Sequence, residues 1–295
     1  MADQVDRACG VIIVEVINSN PNGDPDNNGA PRMLPNETGF ITPVAFKAKI
    51  RELVAFKSGT VWQSLKKQFA LEDDQYGIVE APIDSESHIT LKDVNNSIAD
   101  ETYYSKFFDS RVFGAAILGS TEKVKHENKH IRGGGPVCIS GFHSLHKVEM
   151  ITQTTTRRRN SEEGVSKGFA PDAIKLIAHG IYKATFEINP QQAKQTECTR
   201  KDIELLLKLF TLAFENTRSS SRPSVNVISV PYVTFADPFG WQIPNILKSL
   251  SPIPKDKNLQ YSTSSDDYVF PDINNELVKD GLKSGKIKSV VDLAK

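Results

Sequence analysis

The chain has 295 residues, 39% of them apolar and 24% charged, and its 36 basic side chains balance 36 acidic ones. That composition excludes a mostly disordered chain, a collagen and a bare coiled coil, and it is ample for a hydrophobic core in one large domain or two small ones. No apolar run approaches the ~20 residues that span a bilayer, and the N-terminal MADQVDRACG lacks the basic-then-apolar pattern of a signal peptide, so a cytoplasmic protein with no membrane partner is expected.

The first predicted element is a strand over residues 8–18, ACGVIIVEVIN, β-branched on both faces and therefore central. The next 24 residues are dominated by Asn, Asp, Gly and Pro and read as one long structured loop. Thr42 then caps a helix with Pro43 in its first position; Phe46, Ile50, Leu53 and Val54 form its apolar stripe. Lys47 and Arg51 share another face, with Lys49 flanking. Residues 60–108 are acid-rich, with weak helical signals, and read as an insertion. Residues 107–118 are apolar enough to be buried. Residues 119–135 are polar and basic and end in three glycines, a loop. Residues 136–149 read as a strand interrupted at Gly141, and 152–172 as a second loop or flap. The alternation of Tyr182, Ala184, Phe186 and Ile188 against Lys183, Thr185 and Glu187 predicts a strand with one wet face over 180–188. Thr199 and Asp202 make a capping box for a second helix carrying Ile203, Leu206, Leu207, Phe210, Ala213 and Phe214. A last strand spans 225–235. The Pro- and Ser-rich remainder holds a short amphipathic helix near 275–293. Stripped of insertions, the order approximates β-α-β-β-α-β, the ferredoxin-like α+β pattern of RNA-recognition modules.

Zero net charge conceals a segregation. Residues 50–122 carry 7 basic and 12 acidic side chains, a net of −5, whereas residues 123–222 carry 17 and 10, a net of +7. Such asymmetry suits self-association or a polyanion partner. Cys9, Cys138 and Cys198 are odd in number and far apart, which is neither a disulfide framework nor a CxxC metal site. They read as small buried hydrophobes or free thiols.

Several motifs carry candidate chemistry. HENKH, His126 to His130, fits the H-E-x-x-H zinc signature. Yet it lacks the apolar helix face that would hold two imidazoles in place, and cations crowd it; a solvated basic loop is expected. Asp24 and Asp26 lie among Asn20, Asn22, Asn27 and Asn28. Turn-making, ligand contact and general-base chemistry all remain open for them. Arg157, Arg158 and Arg159 form a dense cluster, flanked in sequence by Lys123, Lys125, Lys129, Arg132, Lys147 and Lys167. Guanidinium and ammonium groups bind phosphates by charge-assisted bonds, and Gly133 and Gly134 would let a polyanion approach the backbone. Arg218 and Arg222 are a weaker version of the same idea. His143, His146 and His179 read as core or sheet-surface residues. There is no P-loop, no GxGxxG after a strand and no GxSxG elbow.

The stretch NPNGDPDNNGAPRMLPNETGFITPVAFKAKIR, Asn20 to Arg51, strongly resembles the Cas7 backbone family of type I CRISPR surveillance complexes, with the type I-C branch most similar. FDSRVFGAA (108–116), GPV (135–137), GFAPDAIKLIAHGIYKATFEINP (168–190) and the helix with its RSSSR tail (202–222) follow in the expected order. The resemblance implies an RNA-recognition-like palm over 8–58, 107–151 and 174–235. Inserted helical fingers would cover 59–106, a thumb-like flap 152–173, and a C-terminal extension packed on the palm 236–295. It also implies that several copies polymerise along one CRISPR RNA and present it for pairing with target DNA beside other Cascade subunits. No cofactor, metal or catalytic residue is expected. On this mapping Lys47, Lys49 and Arg51 face the RNA path beside the loop containing Asn20, Asn22 and Arg32. Two alternatives come from other classes. A related type III backbone family cleaves target RNA with a loop aspartate, a part open to Asp24 or Asp26. A zinc hydrolase would be built on His126, Glu127 and His130.

Overall fold

The computed structural model describes residues 4–81, 89–114, 131, 133–158 and 169–294, with the backbone alone for 155–158 and 169–172. In chain order the strand β1 (Ala8–Ser19) is followed by a small hairpin, β2 (Gly23–Asp24) and β3 (Ala30–Pro31), and by β4 (Thr38–Ile41). Helices α1 (Pro43–Ala55), α2 (Thr60–Phe69), α3 (Leu91–Ala99), α4 (Tyr103–Lys106) and α5 (Phe108–Phe113) come next. Strands β5 (Val137–Ile139), β6 (Phe142–Lys147), β7 (Met150–Arg158) and β8 (Phe169–Ile188) lead to α6 (Pro190–Gln195) and α7 (Arg200–Leu212). The rest comprises β9 (Ser224–Ser229), β10 (Pro231–Phe235), α8 (Ile243–Ser249), β11 (Ile253–Pro254), β12 (Tyr268–Val269), α9 (Glu276–Lys283) and β13 (Ile287–Asp292).

The fold is mixed α+β around one large antiparallel sheet, nine-stranded among the described residues, whose main path runs β13-β10-β1-β8-β6-β4. β1 sits in the middle. β8 pairs along its whole length, from Ala8↔Ile188 to Ser19↔Ile177, while β10 and β9 divide its other side. Its two apolar faces have separate partners. Ala8, Ile12, Val14 and Val16 join a core built with the helices, whereas Cys9, Val11 and Ile13 join a second core built with the C-terminal segment. A strand apolar on both faces therefore ends up covered on both.

Helices α1 and α7 cover the first face. Thr42 Oγ accepts from the Ala45 amide and Thr199 Oγ from the Asp202 amide, while the Asp202 carboxylate accepts from Thr199 N–H. These caps satisfy amides that the first helical turn would leave orphaned. Phe46 on α1 packs between Phe142 (ring centroids 4.8 Å apart) and Phe210 (5.7 Å), and Phe210 meets Phe186 edge-on. Each such fully buried aromatic contributes roughly 1.5–3 kcal/mol from apolar burial.

Two buried arginine–aspartate pairs tie the 60–106 segment to this layer. Arg111 bonds Asp202 through Nε (3.0 Å) and Nη2 (2.8 Å), and its Nη1 bonds the carbonyls of Gln75 and Tyr104. Arg51 Nε bonds Asp109 (3.1 Å), which also accepts the amides of Val79 and Glu80. The C-terminal segment is pinned across the opposite face. His146 Nδ1 lies 2.8 Å from the Tyr268 hydroxyl and His179 Nδ1 2.8 Å from the Ser262 hydroxyl.

Four expectations are corrected. The long loop after β1 contains the β2–β3 hairpin, and its end, Thr38–Ile41, is an edge strand of the main sheet against β6. The flap at 152–172 contributes β7 and the start of β8, which pair in register from Met150↔Ile177 to Arg158↔Phe169. The strand over 225–235 is two strands. The amphipathic helix near 275–293 stops at Lys283, and Ile287–Asp292 instead extends the main sheet beside β10. Cys138 is exposed, unlike the buried Cys9 and Cys198.

Candidate nucleic-acid interface

The C-terminal end of β1 gathers residues from three distant parts of the chain. Asn20 donates its side-chain amide to Gly29 O (2.7 Å), which folds the loop onto itself. Its backbone N–H donates to Ser221 O (2.7 Å), and its carbonyl accepts from Arg222 Nε (3.0 Å). Asn22 Oδ1 accepts from the Thr42 amide (2.9 Å), fixing the loop to the entrance of α1. Arg32 Nη2 lies 3.2 Å from Asp24. The 20–32 loop, the start of α1 and the 218–224 segment are thus fastened into one unit.

Within it, the two asparagines act first as turn-makers. Asn20 is buried, and its Oδ1 has no partner among the described residues. Asp24 caps the turn by accepting from the Asp26 amide (3.3 Å), and its ion pair with Arg32 gives it a structural part. Among the described residues, no group of three or more His, Cys, Asp or Glu could hold a metal ion.

The three basic residues of α1 separate onto two flanks of its apolar stripe. Lys47 Nζ stands 4.8 Å from the centre of the Phe113 ring, and burial, aided by the nearby Arg51 charge, pulls its pKa below the ordinary lysine value. Arg51, expected to face the RNA path, is turned inward instead. It is 6% exposed and spends its guanidinium on Asp109 and on Glu80 (2.9 Å). A buried arginine left without a carboxylate would be costly, so its place beside Lys47 in sequence serves packing. Lys49 lies on the other flank, 3.1 Å from Glu52. Glu52 in turn acts on Arg222, whose pKa burial draws downward. Arg218 is exposed and reaches Asn226 (3.3 Å) and Glu215 (3.8 Å).

The glycines divide by role. A side chain on Gly133 or Gly134 would meet nothing within 4 Å among the described residues. Gly135 is different. A Cβ there would sit 2.7 Å from Val112 O and closer still to the backbone of Phe113 and Gly114, so its lack of a side chain is a packing requirement. Arg157 and Arg158 stand at the far end of β7, opposite Ala170 and Phe169 in the ladder. Arg132, Arg159, Lys167 and the whole HENKH motif lie outside the described residues. The site links that sequence reasoning missed are long-range. Nothing local in the sequence signals that Arg222 grips Asn20 from 202 positions away. His146 and His179 are buried, and His143 is exposed, its ring 5.1 Å from that of Phe40.

Comparison with known proteins gives one family. The model described as "CRISPR-associated protein Cas7" matches residues 6–271. No curated protein matches. Among solved structures, a chain described as "CRISPR RNA-guided surveillance complex, pre-nicking" is 12% identical with a TM-score of 0.47, covering 78% of this chain and 79% of that one. Another, "CRISPR RNA-guided surveillance complex", is 10% identical with a TM-score of 0.40, over 77% and 70%.

Proposed function

The chain belongs to the Cas7 family, and on that premise we propose that it is a non-catalytic RNA-binding backbone subunit of a CRISPR RNA-guided surveillance complex. The observation that carries this reading is the family match over residues 6–271. In the proposed role, several copies polymerise along one CRISPR RNA and hold it for pairing with target DNA, while other subunits of the cytoplasmic complex do any cutting. The type I-C branch remains our assignment from the Asn20–Arg51 motif.

Three features support the role. First, the four-strand centre β10-β1-β8-β6 is antiparallel with sequence order fourth-first-third-second, the split β-α-β order of ferredoxin-like, RNA-recognition-like palms. Second, a loop fastened by hydrogen bonds, with Lys49, Arg218 and Arg222 on the elements that adjoin it, suits a phosphate backbone, which needs cations and no base-reading groups. Third, the −5 and +7 segments suit head-to-tail stacking. In this reading β7 and the outer part of β8 form the thumb, residues 59–106 the fingers, and residues 236–295 an extension on the palm. Neither Asp24, which is engaged by Arg32, nor Asp26 cleaves RNA in this reading.

The test is expression with and without a CRISPR array together with the other subunits, followed by gel filtration and extraction of bound nucleic acid. RNA of one discrete guide length, in a large assembly and only with the array, is expected. A nucleic-acid-free monomer under both conditions would overturn the reading.

A further inference from the structure

The N-terminal end of β1 carries a second feature, and β1's 12 residues set it about 40 Å from the loop at Asn20. A cleft of about 610 Å³ is lined there by Gln4, Arg7, Asn189, Gln191, Lys194 and Phe239, with Pro190 and Pro238. Phe239 is 88% exposed, the most exposed of the large apolar side chains among the described residues. It is not exposed through looseness. Gly240 N bonds Asp237 O (2.9 Å), Phe239 N bonds Asp237 Oδ1 (2.8 Å), and Pro238 occupies the second position of this turn. Gly240 takes φ +79°, and a Cβ there would press on Ile243, which packs with Trp241 against the second core. The backbone that carries the ring is therefore an anchored turn, so the ring is presented to solvent at a defined place.

The lining chemistry narrows the occupant. Among the described residues none that lines the cleft is acidic, and Glu187 is the carboxylate that meets it, through Arg7. Arg7 is neutralised by its ion pair with Glu187, but its Nε is buried without a partner among the described residues. Lys194 is exposed on α6, and the side-chain amides of Gln4 and Gln191 are exposed. An exposed aromatic face on an anchored turn, beside a lysine and amide groups, is the equipment for stacking a base and holding its phosphate. A duplex, whose bases are already stacked, offers no free π-face to it.

We propose that this cleft binds one unpaired nucleotide of a single strand, with Phe239 stacking on the base and Lys194 on the phosphate. The site is separate from the RNA grip proposed above and does not depend on it. The probe is a fluorescein-labelled eight-residue oligodeoxythymidine, titrated into the purified full chain and read by anisotropy. Phe239→Ala is expected to weaken binding by about fivefold to a hundredfold, with melting temperature unchanged. Phe239→Trp, which keeps an aromatic face at the site, is expected to bind as tightly as the parent. Lys194→Ala is expected to weaken binding and flatten its salt dependence. Unchanged affinity in both Phe239→Ala and Lys194→Ala would overturn the proposal. So would a Phe239→Ala protein that binds the oligonucleotide normally but loses self-association, because the ring would then belong to a protein interface.

Discussion

Replacing Asp202 by Ala should loosen the attachment of the 60–106 segment to α7 and the helical layer on the sheet. Asp202 is 1% exposed and Arg111 5%, so the change strands a guanidinium where water does not reach it. Removing one partner of a buried pair costs about 3–5 kcal/mol. The capping box of α7 goes with it, for about another 1 kcal/mol. For a chain of this length that corresponds to a fall in Tm of roughly 6–10 °C. The assay is thermal unfolding by circular dichroism on Asp202→Ala, Arg111→Ala and the double variant. The double variant should cost less than the sum of the singles by at least about 1.5 kcal/mol, because the second change removes the group the first left unpaired. A shift below about 2 °C for Asp202→Ala, or strict additivity, would refute the reasoning that this pair fastens the segment.

Gly135→Ala should destabilise by about 1–3 kcal/mol, since its Cβ would meet backbone atoms that cannot give way, whereas Gly134→Ala should leave unfolding unchanged; a denaturant melt of both variants checks this. A thiol reagent at pH 8 should titrate one group per native chain, Cys138, because burial pushes the Cys9 thiol up to about 12 and Cys198 is enclosed; three should react in denaturant. Lys57, whose Nζ lies over the Trp62 ring and bonds Tyr76 O (2.7 Å), is drawn by burial down to about 8. A lysine depressed in the folded state costs stability below that pH, and the cost is relieved as pH rises from about 8 towards 10.5. The stability of the parent relative to Lys57→Met should therefore rise across that window, read from urea midpoints. Finally, Lys49→Ala should reduce the salt slope of RNA binding by about 0.7, the value for one phosphate contact to a single strand; an unchanged slope would remove Lys49 from the interface.

Local physics made much of this fold legible. The two-faced apolar run of β1, the Thr42–Pro43 entrance to α1, the Thr199–Asp202 capping box and the alternation at 182–188 each depend on residues within a few positions, and each appears as read. What was missed depends on partners far away. Thr38–Ile41 follows a Pro- and Asn-rich stretch and becomes a strand because β6 offers it an edge. The threonines and arginines of β7 are held extended by β8, which a flap reading does not contain. Ile287–Asp292 joins β10 across more than fifty residues. The same limit applies to the site. Lys47 and Arg51 look equivalent at i and i+4, and it is Asp109, 58 positions on, together with Glu80 that holds the arginine inward.

The most direct measurement is a photo-crosslinking map of the RNA-loaded assembly, with adducts located by mass spectrometry of its peptides. Adducts concentrated in residues 20–32, 43–55 and 218–224 are the expected result. An assembly that carries guide-length RNA yet gives adducts only outside those three segments would contradict the placement of the RNA grip at the end of β1.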